Sequence, residues 1–431
     1  MIDIRLVRED RAAVASSLGR RGVDADEVEK LYQADNRTRA AVGRRDEVRA
    51  QIKDLSRQVG EARRAGDQKL ADELSERSRV LGDEERALEA EAEDAQGEVR
   101  RLLLWLPNLP ADDAPDGTGA EDNPVVRRWP AEPRRYADHQ RVPHWEVGAA
   151  LGILDLEKGA KLAGSMFPLF RGDGSRLLRA LTAFALDHHA GTYEEIRPPT
   201  LVRSETMEST GHLPKFADEA YHVERDDLWA IPTAEVPLTS MHRGDILEES
   251  ELPLRLTAAT ACFRREAGAA GRDTRGLLRV HEFDKVEIFA YATAEQAAQV
   301  HADMVRSVDQ LLTALDLEYR VVDLCAGDLG NSARRTFDFE VFAPGADQWL
   351  EVSSVSWFGD YQARRANVRY RPAAGGQPRF CHTLNGSALA WARIWAALME
   401  TGRQDDGRVR LPEVLAPYLG GRVVVGAAAD A

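Results

Sequence analysis

The sequence predicts an α+β protein: an antiparallel sheet flanked by helices, preceded by an N-terminal antiparallel coiled-coil arm. Three observations carry that expectation. From Asp26 to Leu104 the chain has no proline and is dominated by Ala, Glu, Arg, Leu and Asp, which favours long helices. Between Leu106 and Pro143 it carries seven prolines among scattered Asp and Gly, the mark of an extended or turn-rich boundary. Beyond that, strand-like runs come in groups joined by turns rather than in regular strand–helix–strand units, which favours an antiparallel sheet over a doubly wound one.

Taking the elements in order, Val48, Ile52, Leu55 and Val59 follow the 4-3-4 spacing of a coiled-coil seam. Leu74, Leu81, Leu88, Ala95 and Leu102 then recur every seventh residue, with Ser78 and Glu85 weakening the interleaved positions. The stretch Gly60–Gly66 (GEARRAG) between the two runs predicts the turn of a hairpin. Arms of about thirty residues at about 1.5 Å each would project roughly 50 Å. The outgoing helix carries Arg37, Arg39, Arg44, Arg45, Arg49, Lys53, Arg57, Arg63 and Arg64 against only four acids up to Arg64, whereas the return helix is acidic around Asp83 to Asp94. Charge alone leaves two readings open. Opposite charges can select the helix partner, or the basic helix can track a phosphate backbone.

Past the proline-rich stretch, Ser175 to His189 reads as an amphipathic helix and Tyr193 to Pro199 as a strand. Leu277 to Ala292 alternates like a strand, and Ala294 to Leu315 is helical. The expected organisation is an N-terminal domain over 1–104 with its arm from about residue 27, a linker over 105–143, a main domain over 144–421 and a tail over 422–431.

At 431 residues, two or three domains are expected. The chain is 43% hydrophobic and 30% charged, a globular balance, and its net charge of −15 excludes a uniformly basic nucleic-acid coat. Three widely spaced cysteines, Cys262, Cys325 and Cys381, fit neither a disulfide framework nor a zinc cluster. A charged N-terminus and the lack of any run of about eighteen apolar residues predict a cytoplasmic protein with no membrane span.

Neither a P-loop nor GxGxxG, GxSxG or HExxH is present. A phosphate-handling enzyme without them must rely on arginines, acidic metal ligands or both. Cys262 to Glu287 offers such a set: two extended halves flank a Gly-rich charged loop, Gly268 to Gly276. Arg264 and Glu266 alternate on the first half, and Arg279, His281 and Phe283 on the second. Paired strands would gather two guanidiniums, a carboxylate and a ring over one surface, the inventory needed to hold a nucleoside triphosphate.

FRRE at Phe263–Glu266 followed by GRDTRGLLRVHEFDKVE at Gly271–Glu287 resembles motif 2 of the class II aminoacyl-tRNA synthetases, specifically the seryl-tRNA synthetase family. Further pieces occur in the family's order: His144–Gly148 (HWEVG), Gly211–Phe216 (GHLPKF), Ile231–Thr239 (IPTAEVPLT) and Gly327–Ala333 (GDLGNSA). Glu351–Ser354 (EVSS), Gln362–Arg365 (QARR), His382–Ser387 (HTLNGS), Arg393 at the motif 3 position and Arg410–Gly421 complete the series. The resemblance covers essentially the whole chain.

It implies serine activation by ATP to seryl-adenylate and transfer to tRNA-Ser, and to tRNA-Sec where a cell has it, by a homodimer using Mg²⁺ and no zinc. Arg264 would bridge the serine carboxylate and the α-phosphate. Glu266, Val280, Phe283 and Arg393 would hold adenine, Arg279 the outer phosphates, and Glu351 and Ser354 the magnesium, with Arg265, Val352 and Ser353 also on the ATP side. Thr233, Ala234, Glu235, Glu287 and Ser387 align with the serine pocket. Glu287 aimed at the substrate hydroxyl would reject alanine, by factors of roughly 10⁴ if its acceptor were stranded. The arm residues Arg37, Arg39, Arg44, Arg45, Arg49, Lys53 and Arg57 would grip the long variable arm of the tRNA. Motif 1, and with it dimerisation, would fall on Ser175–His189 and the strand ending at Pro199.

Some residues depart from the family pattern. Val355 and Trp357 stand where SSCSN is common, which would put a bulky indole in place of a small amide beside the expected metal ligands; Ala388 and Ala392 stand where glycine is common, with Trp391 between them, and Asn331 where a small or apolar residue is usual. Packing drift is one reading, and a specialised, inhibitor-tolerant second copy another. A non-catalytic RNA-binding paralogue would have lost Arg264, Glu287, Glu351 or Arg393, and a carrier-protein ligase would lack the arm; neither holds here.

Overall fold

In the computed structural model, residues 1–268 and 275–426 are described; most of the expected Gly268–Gly276 loop, and the end of the 422–431 tail, lie outside them. The chain divides into two compact units, Ile2–Leu106 and, from Pro107 onward, the remainder.

In the first unit, helices α1 (Ala25–Ala65) and α2 (Gln68–Trp105) form the antiparallel hairpin. At 41 and 38 residues, each is about 60 Å long at about 1.5 Å per residue. The reversal is tighter than GEARRAG suggests. Gly60 stays helical, and only Gly66 takes the left-handed conformation (φ 77°) that ends α1. Asp67 then caps α2 by accepting from the Leu70 N–H at 3.0 Å. Ala41, Val48, Leu55 and Ala62 are buried at heptad spacing against Ala71 and Ala92, while Leu74, Leu81 and Leu88 are half-buried. Arg37 pairs with Glu98, Arg44 with Glu91, Arg45 with Glu89, and Arg49 with Glu85 and Glu89 across the hairpin. Arg39 and Arg57 pair within α1. Opposite charges therefore do match the two helices, through exposed, solvent-screened pairs that add little to stability.

In the second unit an eight-stranded sheet is built from β1 (Val125–Trp129), β2 (Glu194–Glu195), β3 (Leu254–Phe263), β4 (Glu282–Ala292), β5 (Tyr319–Asp323), β6 (Arg335–Ala343), β7 (Gln348–Gly359) and β8 (His382–Ala390). Its order is β1-β5-β6-β7-β8-β4-β3-β2, antiparallel throughout except for β2 beside β3. The segment expected as a linker supplies β1, an edge strand of this sheet. Of the strand expected over Tyr193–Pro199, only Glu194–Glu195 is strand, because Pro198 and Pro199 cannot donate to a ladder.

Helices α3 (His144–Ala150), α4 (Asp173–His189), α5 (Ala294–Ala314) and α6 (Trp391–Thr401) pack on the sheet or on one another. Period-2 alternation assigns the two faces of β4. Val286, Ile288 and Ala290 join the core formed with Ala297, Val300 and Met304 of α5. Phe283, Lys285 and Glu287 take the other face, and Phe283 and Lys285 border a cavity there.

Candidate active site

β4 and β3 pair in regular register from Glu282↔Phe263 to Tyr291↔Leu254. Beyond Phe263 the pairing loosens, so the extended stretch expected from Leu277 begins only at Glu282. One further bond, Arg264 N–H to the His281 carbonyl at 2.9 Å, prolongs it. Glu266 then adopts a left-handed conformation (φ 51°), which breaks the expected strand alternation. Its side chain nevertheless meets Arg279, whose Nη1 lies 2.5 Å from Glu266 Oε2. The Arg264 guanidinium lies 5.2 Å from the Phe283 ring centroid. The four groups lie together through loop geometry rather than strand pairing.

Of the cavities that adjoin there, the widest, about 620 Å³, opens over Glu219, Glu266 and Arg279, and two others share residues of β4. One, of about 110 Å³, is bounded by Arg264, Glu266, Arg279, Val280, Phe283 and Arg393, with Glu351, Val352 and Ser353 on its β7 side. Arg393 donates to the Glu351 carbonyl at 2.6 Å, tying α6 to β7 across this cavity. The other, the larger of this pair at about 280 Å³, is bounded by Thr233, Glu235, His212, Asn331, Ser354 and Asn385 among others. Arg264, Lys285, Glu351 and Ser387 border both. A polar ligand in either cavity meets the same two cations at the seam.

Glu287 lies beneath the larger cavity with no exposure. Its Oε2 accepts from the Thr233 hydroxyl and its Oε1 from the Asn385 amide, both at 3.0 Å, and the Lys285 ammonium pairs with it directly. Burial raises the Glu287 carboxyl above its usual range, and Lys285 opposes that shift. Glu235 has less support: the Gln362 amide donates to it at 2.6 Å. Burial first and the Glu287 charge second push it up to about 7. His212 lies against the same cavity, with Nδ1 2.7 Å from the Thr210 hydroxyl. Burial, then the nearby cations Arg264, Lys285 and Arg365, pull it down to about 3, so it is a neutral imidazole at pH 7.

Two expected site residues stand elsewhere. Arg265 turns outward and donates to the Asp218 carbonyl at 3.3 Å. Ala234 is buried among Leu238, Leu256 and Tyr291, placing its neighbours rather than bounding a cavity. Lys285, His212, Gln362 and Asn385 were missed. Lys285 was within reach of sequence reasoning, since Phe283-Lys285-Glu287 repeat at spacing two. Asp338, opposite Ser354 in the β6–β7 ladder, was also missed. Its carboxyl is raised well above the usual range, by burial and then by Glu351, and its Oδ1 is buried without a hydrogen-bond partner.

The departures from the family pattern separate by strand alternation. Ser354, Ser356 and Phe358 border the larger cavity. Val355 and Trp357 point the other way: Val355 lies in the core, and Trp357 packs against His382, His301 and Arg334. The indole is therefore not beside the expected metal ligands. Trp391 packs edge-on against Phe170 at 5.0 Å and Ala388 is buried in the core. Only Asn331, which accepts from Lys215 at 2.9 Å, and Ala392 border the cavities.

An antiparallel sheet carrying arginines over adjoining polar cavities, with no P-loop in the sequence, defines the class II aminoacyl-tRNA synthetase core. Residues 220–402 match the tRNA synthetase class II core domain (G, H, P, S and T), and residues 1–110 the seryl-tRNA synthetase N-terminal domain. A serine–tRNA ligase from Gemmatimonas aurantiaca is 47% identical, covering 98% of this chain and 100% of the relative. One from Thermomicrobium roseum is 45% identical over 99% and 95%. Among solved structures, seryl-tRNA synthetase from Pyrococcus horikoshii complexed with ATP superposes with a TM-score of 0.91 at 34% identity, over 99% of each chain. The chain belongs to the seryl-tRNA synthetase family.

Proposed function

We propose that this chain is a serine–tRNA ligase. The serine carboxylate attacks the α-phosphorus of ATP, pyrophosphate leaves, and a ribose hydroxyl at the 3′ end of tRNA-Ser then takes the seryl group as AMP departs. By family, tRNA-Sec is a second acceptor. The observation that carries this reading is the seam: Arg264, Lys285, Glu351 and Ser387 border both cavities. Serine in the larger one and ATP in the smaller would bring carboxylate and phosphorus together beside Arg264. Negative charge developing at phosphorus is stabilised there by fixed cations, and positioning supplies most of the rest. No general base is required, since a carboxylate is already ionised at neutral pH.

Thr233 and Glu235 receive the serine ammonium, and Glu287 its hydroxyl. Adenine lies against Phe283 and Val280, covered by Arg393 and facing Glu266. Arg279 exchanges its Glu266 partner for the outer phosphates.

Glu351 and Ser354 provide oxygen donors, and the Asp338 carboxyl, which bonds Ser354 and feels the Glu351 charge, lies beside them, a donor set that fits the hard cation Mg²⁺. When bound, that ion would neutralise phosphate charge. The arm residues Arg37, Arg39, Arg44, Arg45, Arg49 and Arg57 hold the tRNA backbone by trading weak ion pairs for phosphates, and Lys53 meets a phosphate with no pair among the described residues to give up. A homodimer formed around α4 and a cytoplasmic location complete the proposal. Among the described residues no helix is long and apolar enough to cross a membrane.

Exchange of labelled pyrophosphate into ATP with serine, threonine and alanine in parallel, followed by transfer of labelled serine to tRNA-Ser, tests it. No serine-dependent exchange would remove it.

A further inference from the structure

His144 is buried at the start of α3 with no exposure, yet it touches neither cavity. Its ring bridges two distant pieces of chain. Nδ1 lies 2.8 Å from Glu400 Oε1, near the end of α6, and Nε2 lies 2.9 Å from the Leu277 backbone nitrogen. A backbone N–H can only donate, so Nε2 accepts and the proton sits on Nδ1, directed at Glu400.

Glu400 is in turn fully engaged. Besides the ring it accepts from the His144 N–H at 3.0 Å, and its Oε2 accepts from Gly345 N–H at 2.8 Å and Ala346 N–H at 3.2 Å in the β6–β7 turn. Three separate parts of the fold thus fix one imidazole. The segment it holds is the one that reaches the nucleotide: Leu277, Leu278, Arg279 and Val280 all border the smaller cavity. Two neighbouring contacts press the same stem down. Arg275 lies 5.2 Å over the Trp145 ring, and the Leu278 carbonyl accepts from Arg393 Nε at 3.4 Å. Gly276 takes φ 59°, and a Cβ there would lie 2.4 Å from His144 Nε2, so the backbone can approach the ring only without a side chain.

We propose that the His144–Glu400 pair is a positioning device for ATP: it sets the height of the Leu277–Val280 stem over the cavity through the Leu277 N–H, while serine binding is left alone. This rests on the assignment of the smaller cavity to ATP made above. Neither residue touches a reacting atom in this scheme.

The test is serine-dependent ATP–pyrophosphate exchange on the full chain, with KM for ATP and for serine measured separately and the melting temperature followed. Wild-type enzyme without such exchange would sink the underlying assignment, not this inference. His144→Asn keeps a donor for Glu400 and loses the acceptor for Leu277. It is expected to raise KM for ATP about tenfold, the scale of one lost hydrogen bond, with KM for serine within about twofold of wild type. His144→Gln, whose carboxamide oxygen can reach the Nε2 position, is expected to recover most of that loss. An unchanged KM for ATP in His144→Asn, or equal rises for both substrates, overturns the proposal. If His144→Asn does not fold, Gly276→Ala displaces Leu277 without altering Glu400, and the same split between the two KM values decides.

Discussion

Glu235 and Glu287 are two buried carboxylates beside one cavity with unequal support. Lys285, Thr233 and Asn385 hold Glu287, whereas among the described residues the Gln362 amide alone donates to the Glu235 side chain. The less supported one carries the titration that matters near neutrality. Burial and then the Glu287 charge push Glu235 up to about 7.

The sign follows from linkage. In the unfolded chain this carboxyl ionises near 4.3, so between there and about 7 the folded protein holds a proton that the unfolded chain has released. Stability therefore falls as pH rises through that window, by roughly 4 kcal/mol in all, and levels off above it. A serine ammonium placed beside Glu235 favours the charged form and expels the proton. The logarithm of kcat/KM for serine is expected to rise by about one per pH unit below 7 and flatten above. Glu235→Gln should lower kcat/KM by about 10- to 100-fold and abolish the slope. Calorimetry of serine binding at pH 6 in two buffers of different ionisation enthalpy would count the proton; equal heats would contradict this role.

The three donors on Glu287 also bear on alanine rejection. Alanine would leave those bonds intact, so no acceptor is stranded, and the sequence-based figure of roughly 10⁴ is too large for this contact. A charged hydrogen bond gained by serine is worth about 1.5–3 kcal/mol, hence about 10- to 100-fold against alanine. Glu287→Gln should do more damage, because Lys285 would remain a buried cation without its partner. A loss of about 10³ in serine-dependent exchange is expected, with the far-ultraviolet spectrum unchanged. Near-normal exchange by the variant would remove Glu287 from the serine site.

How far this site was legible depended on local pattern. The hairpin could be read because its heptads and missing prolines are short-range signals. Its turn was drawn too wide because Gly60 and Gly66 look alike in sequence, and only helix termination at Gly66 separates them. Arg264, Arg279 and Phe283 were found through their motif, although the strand alternation invoked for them fails at Glu266, whose left-handed backbone no spacing rule announces. Gln362 and His144 were out of reach. Each acts through partners more than a hundred residues away, which only the folded sheet brings near.

Trp357 is the departure whose reading changed most. Since it points away from the cavities into a cluster with His382, His301 and Arg334, its size should matter to packing and not to ligands. Trp357→Asn is expected to destabilise by about 2–4 kcal/mol through the lost ring contacts. KM for serine and inhibition by a seryl-adenylate analogue should stay within about twofold. A large shift in inhibition would revive the reading of a specialised inhibitor-tolerant copy.

Because the hairpin belongs to a compact unit of its own, replacing residues 37–101 by a short Gly-Ser turn should leave adenylate formation within about twofold. Aminoacylation of tRNA-Ser should fall at least about 100-fold. Within the arm, ion pairing ranks the contacts. Arg44 is held by Glu91, whereas Lys53 has no acidic partner among the described residues. A phosphate must displace Glu91 from the first but meets the second unopposed. Lys53→Glu is therefore expected to weaken tRNA binding more than Arg44→Glu. Each should reduce the slope of log affinity against log salt by about one. Charging that survives the deletion would separate the arm from tRNA recognition, and equal losses in the two point variants would show that the ion pairs do not set the order.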